Sequence, residues 1–182
     1  MVDRRTLLLG GVVGPAAFVG AWVTGGLLRD GYRPGVDTIS RLAEQGVPTQ
    51  PLMTAGFVAF GVLVPLFATQ LEPRALRVTA TTSGLATLAV ACTPLSRDGG
   101  TTLDSLHLVS ALVGYVGQAA SPWAGATQLS RPALSRALTV ACAAALVASV
   151  VDGDHAGLWQ RLGLTLVDAW FVVLAVRLLR RR

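Results

Sequence analysis

The stretch Pro51–Leu71, PLMTAGFVAFGVLVPLFATQL, contains no charged side chain. A bilayer core about 30 Å thick is crossed by roughly 20 apolar residues in a helix, so this stretch has the length and composition of a transmembrane helix. Five further segments come close to the same pattern, and the six lie near residues 6–28, 51–71, 78–95, 106–129, 133–151 and 162–179. The sequence therefore predicts an all-α fold, a polytopic membrane protein whose residues 1–182 form a single six-transmembrane-helix bundle.

The composition supports a membrane protein and argues against a nucleic-acid partner. Apolar residues make up 52% of the chain and charged residues 14%, whereas soluble domains have about 25% charged residues. A net charge of +5 would indicate nucleic-acid binding in a soluble protein. Here the arginines flank apolar segments, so we expect membrane lipids as partners and no nucleic acid.

The arginines also predict an orientation. When both termini are placed in the cytoplasm, the cytoplasmic side holds the larger group: Arg4, Arg5, Arg74, Arg77, Arg131, Arg136, Arg177, Arg180, Arg181 and Arg182. The outer side holds the smaller group: Arg29, Arg33, Arg41, Arg97 and Arg161. This asymmetry follows the positive-inside rule and predicts cytoplasmic termini, with a basic C-terminal segment that contacts anionic lipid.

The acidic residues and histidines gather on the opposite side. In this topology the outer connections contain most of them: Asp30, Asp37, Glu44, Asp98, Asp104, Asp152, Asp154 and His155, with His107 at the start of the fourth span. Asp168 lies within the last span. The side chains capable of acid–base chemistry near neutral pH therefore lie in or just below one aqueous face.

The first outer connection contains a short segment, Val36–Glu44, with the pattern of an amphipathic helix. Asp37 is a residue type that favours a helix N-cap, and it lies four residues before Arg41, with which it would pair. Three apolar side chains would share the face that rests on the bundle: Ile39, Leu42 and Ala43. Two interpretations remain open, an interfacial helix with a surface ion pair and a lid that presents polar side chains to a ligand: Asp37, Ser40 and Arg41.

The connection between the third and fourth segments leads to His107 at the start of a helix. Asp104 or Ser105 would cap this helix, and Asp104 lies three residues before His107 on the same face. A histidine just inside a transmembrane helix is costly unless it has a partner. We expect either a structural bond to a neighbouring backbone or carboxylate, or a functional role.

The last segment carries Arg161, Thr165 and Asp168 on one helical face. An aspartate that faced lipid would cost free energy, so Asp168 should point into the bundle, toward a wet cavity or a basic partner. The candidate partners are Arg161, Arg97 and His107. Such an aspartate either locks two helices together or takes part in function.

Three motifs resemble the DUF998 family of six-span prokaryotic integral membrane proteins. They are the D-x-x-S pattern of Asp37 and Ser40, the turn from Pro94 through Asp98 to His107, and Gly157–Arg161 at the head of the last span. The resemblance covers almost the whole chain and implies a prokaryotic plasma-membrane protein. It draws attention to five residues, Asp37, Ser40, Asp98, His107 and Arg161, and implies no particular reaction. Thr93 precedes Pro94 where the family pattern has an aromatic residue.

Binding and catalysis both remain open as functions. In the first, arginine forks hold a lipid head group or small anion through an outer polar cavity, for binding or transport. In the second, a metal-dependent or Ser/His hydrolase acts on lipid at the outer leaflet, although no H-E-x-x-H or G-x-S-x-G motif is present. The sequence favours binding, predicts no metal or other cofactor, and leaves open a protein partner or homo-oligomer. The candidate ligand-binding residues are Asp37, Ser40, Arg41, Arg97, Asp98, Asp104, His107, Arg161 and Asp168.

Overall fold

A computed structural model describes residues 3–181. Arg182, part of the predicted basic C-terminal segment, lies outside the described residues. The described chain is all-α, with six α-helices: α1 Arg4–Leu28, α2 Gln50–Ala68, α3 Arg74–Cys92, α4 Thr102–Ala124, α5 Pro132–Val151 and α6 Ala156–Arg180. Short 3₁₀ helices occupy Ile39–Ala43, Ala126–Gln128 and Gly153–His155. We call Ile39–Ala43 the loop helix.

Five helical segments are long and apolar enough to cross a membrane: those of α1, α2, α3, α5 and α6. This indicates an integral membrane protein. The remaining helix, α4, has 23 residues, but its polar side chains keep it outside that group. Each predicted segment overlaps one of the six helices. The largest difference at a single boundary is the start of α6, at Ala156 instead of residue 162, and α4 runs from Thr102 to Ala124 instead of from 106 to 129.

The connections alternate between two ends of the bundle. At one end, the backbone N–H of Gln45 donates to the carbonyl of Leu95 at 2.9 Å, which joins the first and third connections. At the same end, the N–H of Gly157 donates to Val36 at 3.1 Å, which joins the first connection to the start of α6. We call this the loop end and the opposite one the basic end. Helices that follow one another in sequence pack side by side, and α6 packs against α1 to close the bundle.

Small residues bring the helices close together. An ideal Cβ placed on Gly61 of α2 would lie 2.8 Å from the backbone nitrogen of Leu88 in α3. Only glycine permits this approach, which is the usual way that helices pack where lipid supplies no hydrophobic driving force between them. Three aromatic side chains fill the adjoining space, with ring centroids 5.8 and 5.6 Å apart: Phe18 with Phe57 and Phe18 with Phe60.

Candidate functional site

The loop helix is fastened to the bundle by its backbone as well as its side chains. Three apolar side chains are buried, as the sequence predicted: Ile39, Leu42 and Ala43. The Thr49 hydroxyl donates to the carbonyl of Leu42 at 2.8 Å, and the Ile39 N–H donates to the Gln160 side chain at 2.7 Å. Within the loop helix Arg41 is exposed, whereas Ser40 is buried.

Asp37 neither caps this helix nor pairs with Arg41, so both of those predictions are wrong. The helix begins after Thr38, which makes no side-chain cap bond. The Asp37 carboxylate instead accepts from the N–H of Arg33 at 2.7 Å. Arg41 pairs with Glu44 at 2.6 Å. The tight 3₁₀ turn takes Asp37 out of the helix, so the four-residue spacing no longer places the two side chains on one face.

Ser40 and His107 meet at the top of the bundle. The Nε2 atom of His107 lies 2.8 Å from Ser40 Oγ, and its Nδ1 atom lies 2.7 Å from the carbonyl oxygen of Thr93. A carbonyl oxygen can only accept, so Nδ1 donates to it and Nε2 of the neutral ring is left as an acceptor. The Ser40 hydroxyl therefore donates to His107, whose residue exposure is only 4%.

The residues around the third connection have structural roles. The N-cap of α4 is Thr101, and Asp104 completes a capping box with it, so the prediction that Asp104 or Ser105 is the cap is wrong by a few residues. Asp104 also accepts from the Ser96 hydroxyl at 2.7 Å. Asp98 is exposed on the turn, and within residues 3–181 its side chain makes no hydrogen bond or ion pair.

Arg97 joins two connections. Its guanidinium donates to the carbonyls of Gln45 at 3.2 Å and Gly46 at 2.6 Å. These bonds hold the third connection against the first at the loop end. Its guanidinium contacts these carbonyls and not Asp168, so Arg97 is not the basic partner predicted for that aspartate.

Arg161 is buried, and both of its terminal guanidinium nitrogens donate hydrogen bonds, whereas its Nε atom has no partner among the described residues. It donates to the carbonyl oxygens of Pro34 at 2.6 Å, Asp37 at 2.9 Å and Gly157 at 2.8 Å. It also donates to the hydroxyl of Tyr32, and its guanidinium carbon lies 5.4 Å from the centroid of that ring. Burial raises the pKa of Tyr32. The guanidinium thus anchors the first connection to the start of α6.

Asp168 lies deep in the bundle, with a residue exposure of 2%. Its Oδ1 atom accepts from the side-chain amide of Gln118 at 2.8 Å. Its Oδ2 atom has no hydrogen-bond partner among the described residues. None of the predicted partners contacts it, because Gln118 from α4 occupies that position and the arginines bond to loop carbonyls nearer the end of the bundle.

A cavity of about 40 Å³ lies directly beneath the loop helix. Ser40 lines it together with side chains from five of the six α-helices: Phe18, Phe57, Phe60, Thr87, Val90, Ser110, Ala111, Gly114, Tyr115, Gln118, Gln160 and Leu164, with Ile39 beside the serine. The amide of Gln160 donates to the hydroxyl of Tyr115. Sequence reasoning missed both of these and Gln118, although a glutamine inside an apolar span is itself a signal, since it needs a buried partner.

A second, wider depression lies on the outer surface of the loop end. Its volume is about 330 Å³, and its lining mixes both charges: Arg29, Asp30, Gly31, Tyr32, Asp37, Arg41 and Glu44. The predicted site residues therefore divide into groups. Ser40 lines the inner cavity and His107 bonds to it, while Asp37 and Arg41 face the surface depression. Arg97, Asp104, Arg161 and Asp168 hold loops or helices together, and Asp98 is exposed.

The match to a family of proteins covers most of the chain. The model of the family described as protein of unknown function (DUF998) matches residues 12–177. The chain belongs to the DUF998 family. That membership confirms the resemblance drawn from the motifs around Ser40, His107 and Arg161. No curated protein and no solved structure matches the chain. The chemistry of this DUF998 protein therefore has to be argued from its own geometry.

Proposed function

We propose that this DUF998 protein is a membrane-embedded serine hydrolase that cleaves an acyl ester at the loop end of the bundle. One observation carries the proposal, the Ser40–His107–Thr93 chain of hydrogen bonds at the edge of a cavity. A nucleophile, a base within hydrogen-bond reach and a third group that orients the base are the parts of a catalytic triad. Here a backbone carbonyl takes the place of the usual carboxylate.

In the proposed reaction Nε2 of His107 is the base, because the proton of the neutral ring is on Nδ1. As Ser40 Oγ forms a bond to the acyl carbon, Nε2 of His107 takes the hydroxyl proton and then gives it to the departing alcohol oxygen. Water then attacks the acyl-serine, again losing its proton to Nε2, and the carboxylic acid leaves as Ser40 regains its proton. The Thr93 carbonyl holds Nδ1–H throughout, and it stabilises the imidazolium formed in each step.

Tyr115 supports the proposal as a donor to the acyl oxygen. Its hydroxyl accepts from the Gln160 amide, and within residues 3–181 no acceptor takes its own proton. A phenol fixed by an amide is preorganised to stabilise an oxyanion, which is one of the largest contributions to acyl-transfer catalysis.

The metal-dependent form of the hydrolase has less support. Among the described residues, no three side chains of His, Cys, Asp or Glu are grouped so that they could hold a metal ion. The aspartates that would have served as ligands are instead dispersed. Asp104 completes the capping box of α4, and Asp168 lies deep between α4 and α6.

Binding of a lipid head group is the second candidate, and the surface depression favours it. The three arginines assigned to that function each have protein partners, but Arg41 keeps 48% of its side chain exposed beside acidic groups. Mixed charges suit a zwitterionic head group. Co-purification of a phospholipid that Arg41→Gln releases, in a protein that hydrolyses no ester, would favour binding over catalysis.

Covalent capture tests the hydrolase directly. Purified protein incubated with an ethyl fluorophosphonate is expected to gain the probe's mass on the peptide that contains Ser40. The reason is that such probes phosphonylate serines whose hydroxyl is activated by a base. Preincubation with a hydrolysable ester should slow the capture. Modification of other serines with Ser40 untouched would contradict the proposal.

We also propose that all six helices cross the prokaryotic plasma membrane with the loop end outside and both termini in the cytoplasm. α4 supports the sixth crossing because its outward face is apolar and exposed: Leu108, Val109, Leu112, Val113 and Val116. Such a face suits lipid rather than water. A protein partner or homo-oligomer stays a prediction.

Cysteine labelling on the two sides of α4 tests this topology. In a background with both native cysteines replaced (Cys92→Ser, Cys142→Ala), Asp98→Cys should react with a membrane-impermeant maleimide added to intact cells. Arg131→Cys, at the other end of α4, should react only after permeabilisation. Both positions are exposed. The reverse pattern would contradict the orientation, and equal labelling of both from outside would contradict the crossing of α4.

A further inference from the structure

We propose that the acyl group cleaved by Ser40 is short, two to four carbons, and is not the long fatty-acyl chain of a membrane phospholipid. This inference rests on the proposed hydrolase function and adds its substrate class. It is drawn from the size and the lining of the cavity on which Ser40 opens.

The volume of the cavity sets the limit. It measures about 40 Å³, whereas an apolar protein cavity that binds benzene measures roughly 150 Å³. The space beside Ser40 is therefore smaller than the space that takes a six-carbon ring. This is enough for the carbons of an acetyl to butyryl group, whereas a fatty-acyl chain would have to displace packed side chains.

The aromatic wall keeps the cavity from extending toward α1 and α2. Phe18, Phe57 and Phe60 are each 5% exposed or less. The Phe18 ring packs against the other two, and Gly14 of α1 lies so close to α2 that a Cβ there would be 3.2 Å from Leu63 Cβ. Interiors packed in this way do not open for an extra methylene without a measurable cost.

Polar side chains in the lining would orient the acyl group. Tyr115, Gln118 and Gln160, from α4 and α6, line the cavity together with the phenylalanines. An acyl carbonyl that accepts from the Tyr115 hydroxyl would leave a short alkyl tail for the apolar part of the lining. A lining that combines apolar and hydrogen-bonding groups fits a short acyl ester better than either water alone or a long hydrocarbon chain.

A series of p-nitrophenyl esters tests the proposal on the full-length protein in detergent micelles. We expect kcat/KM for the acetate and butyrate to exceed that for the dodecanoate by about 100-fold or more, since each misfitting methylene costs about 10–200-fold in discrimination. Ser40→Ala should abolish the hydrolysis of every ester. A dodecanoate rate equal to or above the butyrate rate, still dependent on Ser40, would overturn the short-acyl inference and leave the hydrolase standing.

A cavity-enlarging variant and a matched control sharpen the test. Phe57→Leu removes part of the aromatic wall and should raise the ratio of octanoate to butyrate hydrolysis about tenfold. Phe67→Leu makes the same change on the same helix but away from the cavity, against Phe171, and should leave the ratio unchanged. An equal octanoate-to-butyrate ratio in both variants would contradict the proposal that Phe57 limits the length of the acyl group. If no ester is hydrolysed and no probe captures Ser40, the proposed function itself fails.

Discussion

Replacing Ser40 by alanine, or His107 by glutamine, is expected to lower kcat for ester hydrolysis by about 10⁴-fold or more, as in triads whose members act as a unit. Ser40→Ala removes the attacking oxygen, and His107→Gln removes the base that accepts its proton at 2.8 Å. The double variant should be no slower than either single variant, because the loss of either residue already abolishes the base-assisted attack of the serine. Steady-state hydrolysis of p-nitrophenyl acetate by purified protein measures all three.

The cavity itself provides the matched control for this experiment. Ser110 is a second serine in the lining of the same cavity, on α4, and Ser110→Ala should hydrolyse the ester at nearly the wild-type rate. Thermal unfolding of each variant shows whether the fold is kept. A Ser40→Ala protein that folds and retains wild-type turnover would show that Ser40 is not the nucleophile.

Replacing Arg161 by methionine is expected to lower the free energy of unfolding by about 3–5 kcal/mol, because hydrogen bonds from a charged donor contribute about 1.5–3 kcal/mol each and Arg161 makes several. The change keeps an unbranched side chain but removes the guanidinium donor from three backbone carbonyls: those of Pro34, Asp37 and Gly157. Arg161→Lys should also be strongly destabilised, because an ammonium cannot reproduce the planar fork. The midpoint of thermal unfolding in detergent micelles measures both.

Arg180 offers the control for Arg161. It lies on the same helix and is exposed in the last turn, so Arg180→Met should change the free energy of unfolding by no more than about 0.5 kcal/mol. If Arg161→Met unfolds at the wild-type midpoint, the guanidinium is not the anchor of the first connection. Loss of ester hydrolysis without loss of stability would instead indicate that Arg161 takes part in the reaction.

Local sequence rules predicted the helices well and their capping poorly. Apolar segments as long as Pro51–Leu71 can be predicted as helices from composition alone, because only a membrane-spanning helix keeps so much hydrocarbon away from water. Asp37 has the residue type of an N-cap, yet the loop helix begins after it. The reason is that burial of Ile39 and Leu42 and the bond from Ile39 N–H to Gln160 set where the turn tightens. A tertiary contact thus overrides a local preference.

The candidate site could be predicted only in part. The sequence marked Ser40 and His107 as polar groups near one membrane face, but it also favoured the arginines as ligand-binding groups. Arg97 and Arg161 turn out to bond backbone carbonyls, because loops packed over a helical bundle leave such carbonyls without partners. Gln118, Gln160 and Tyr115 were missed because they carry no charge.

The sequence by itself determined that this chain is helical, apolar and divided into a basic end and an end rich in acids and histidines. Those properties depend on composition and on spacing along the chain. Only the tertiary structure decided which polar groups meet, because the decisive pairs come from distant helices: Ser40 and His107 are 67 residues apart, and Gln118 and Asp168 are 50 apart. Helix packing sets these distances through contacts such as that of Gly61 with Leu88, and no local pattern encodes them.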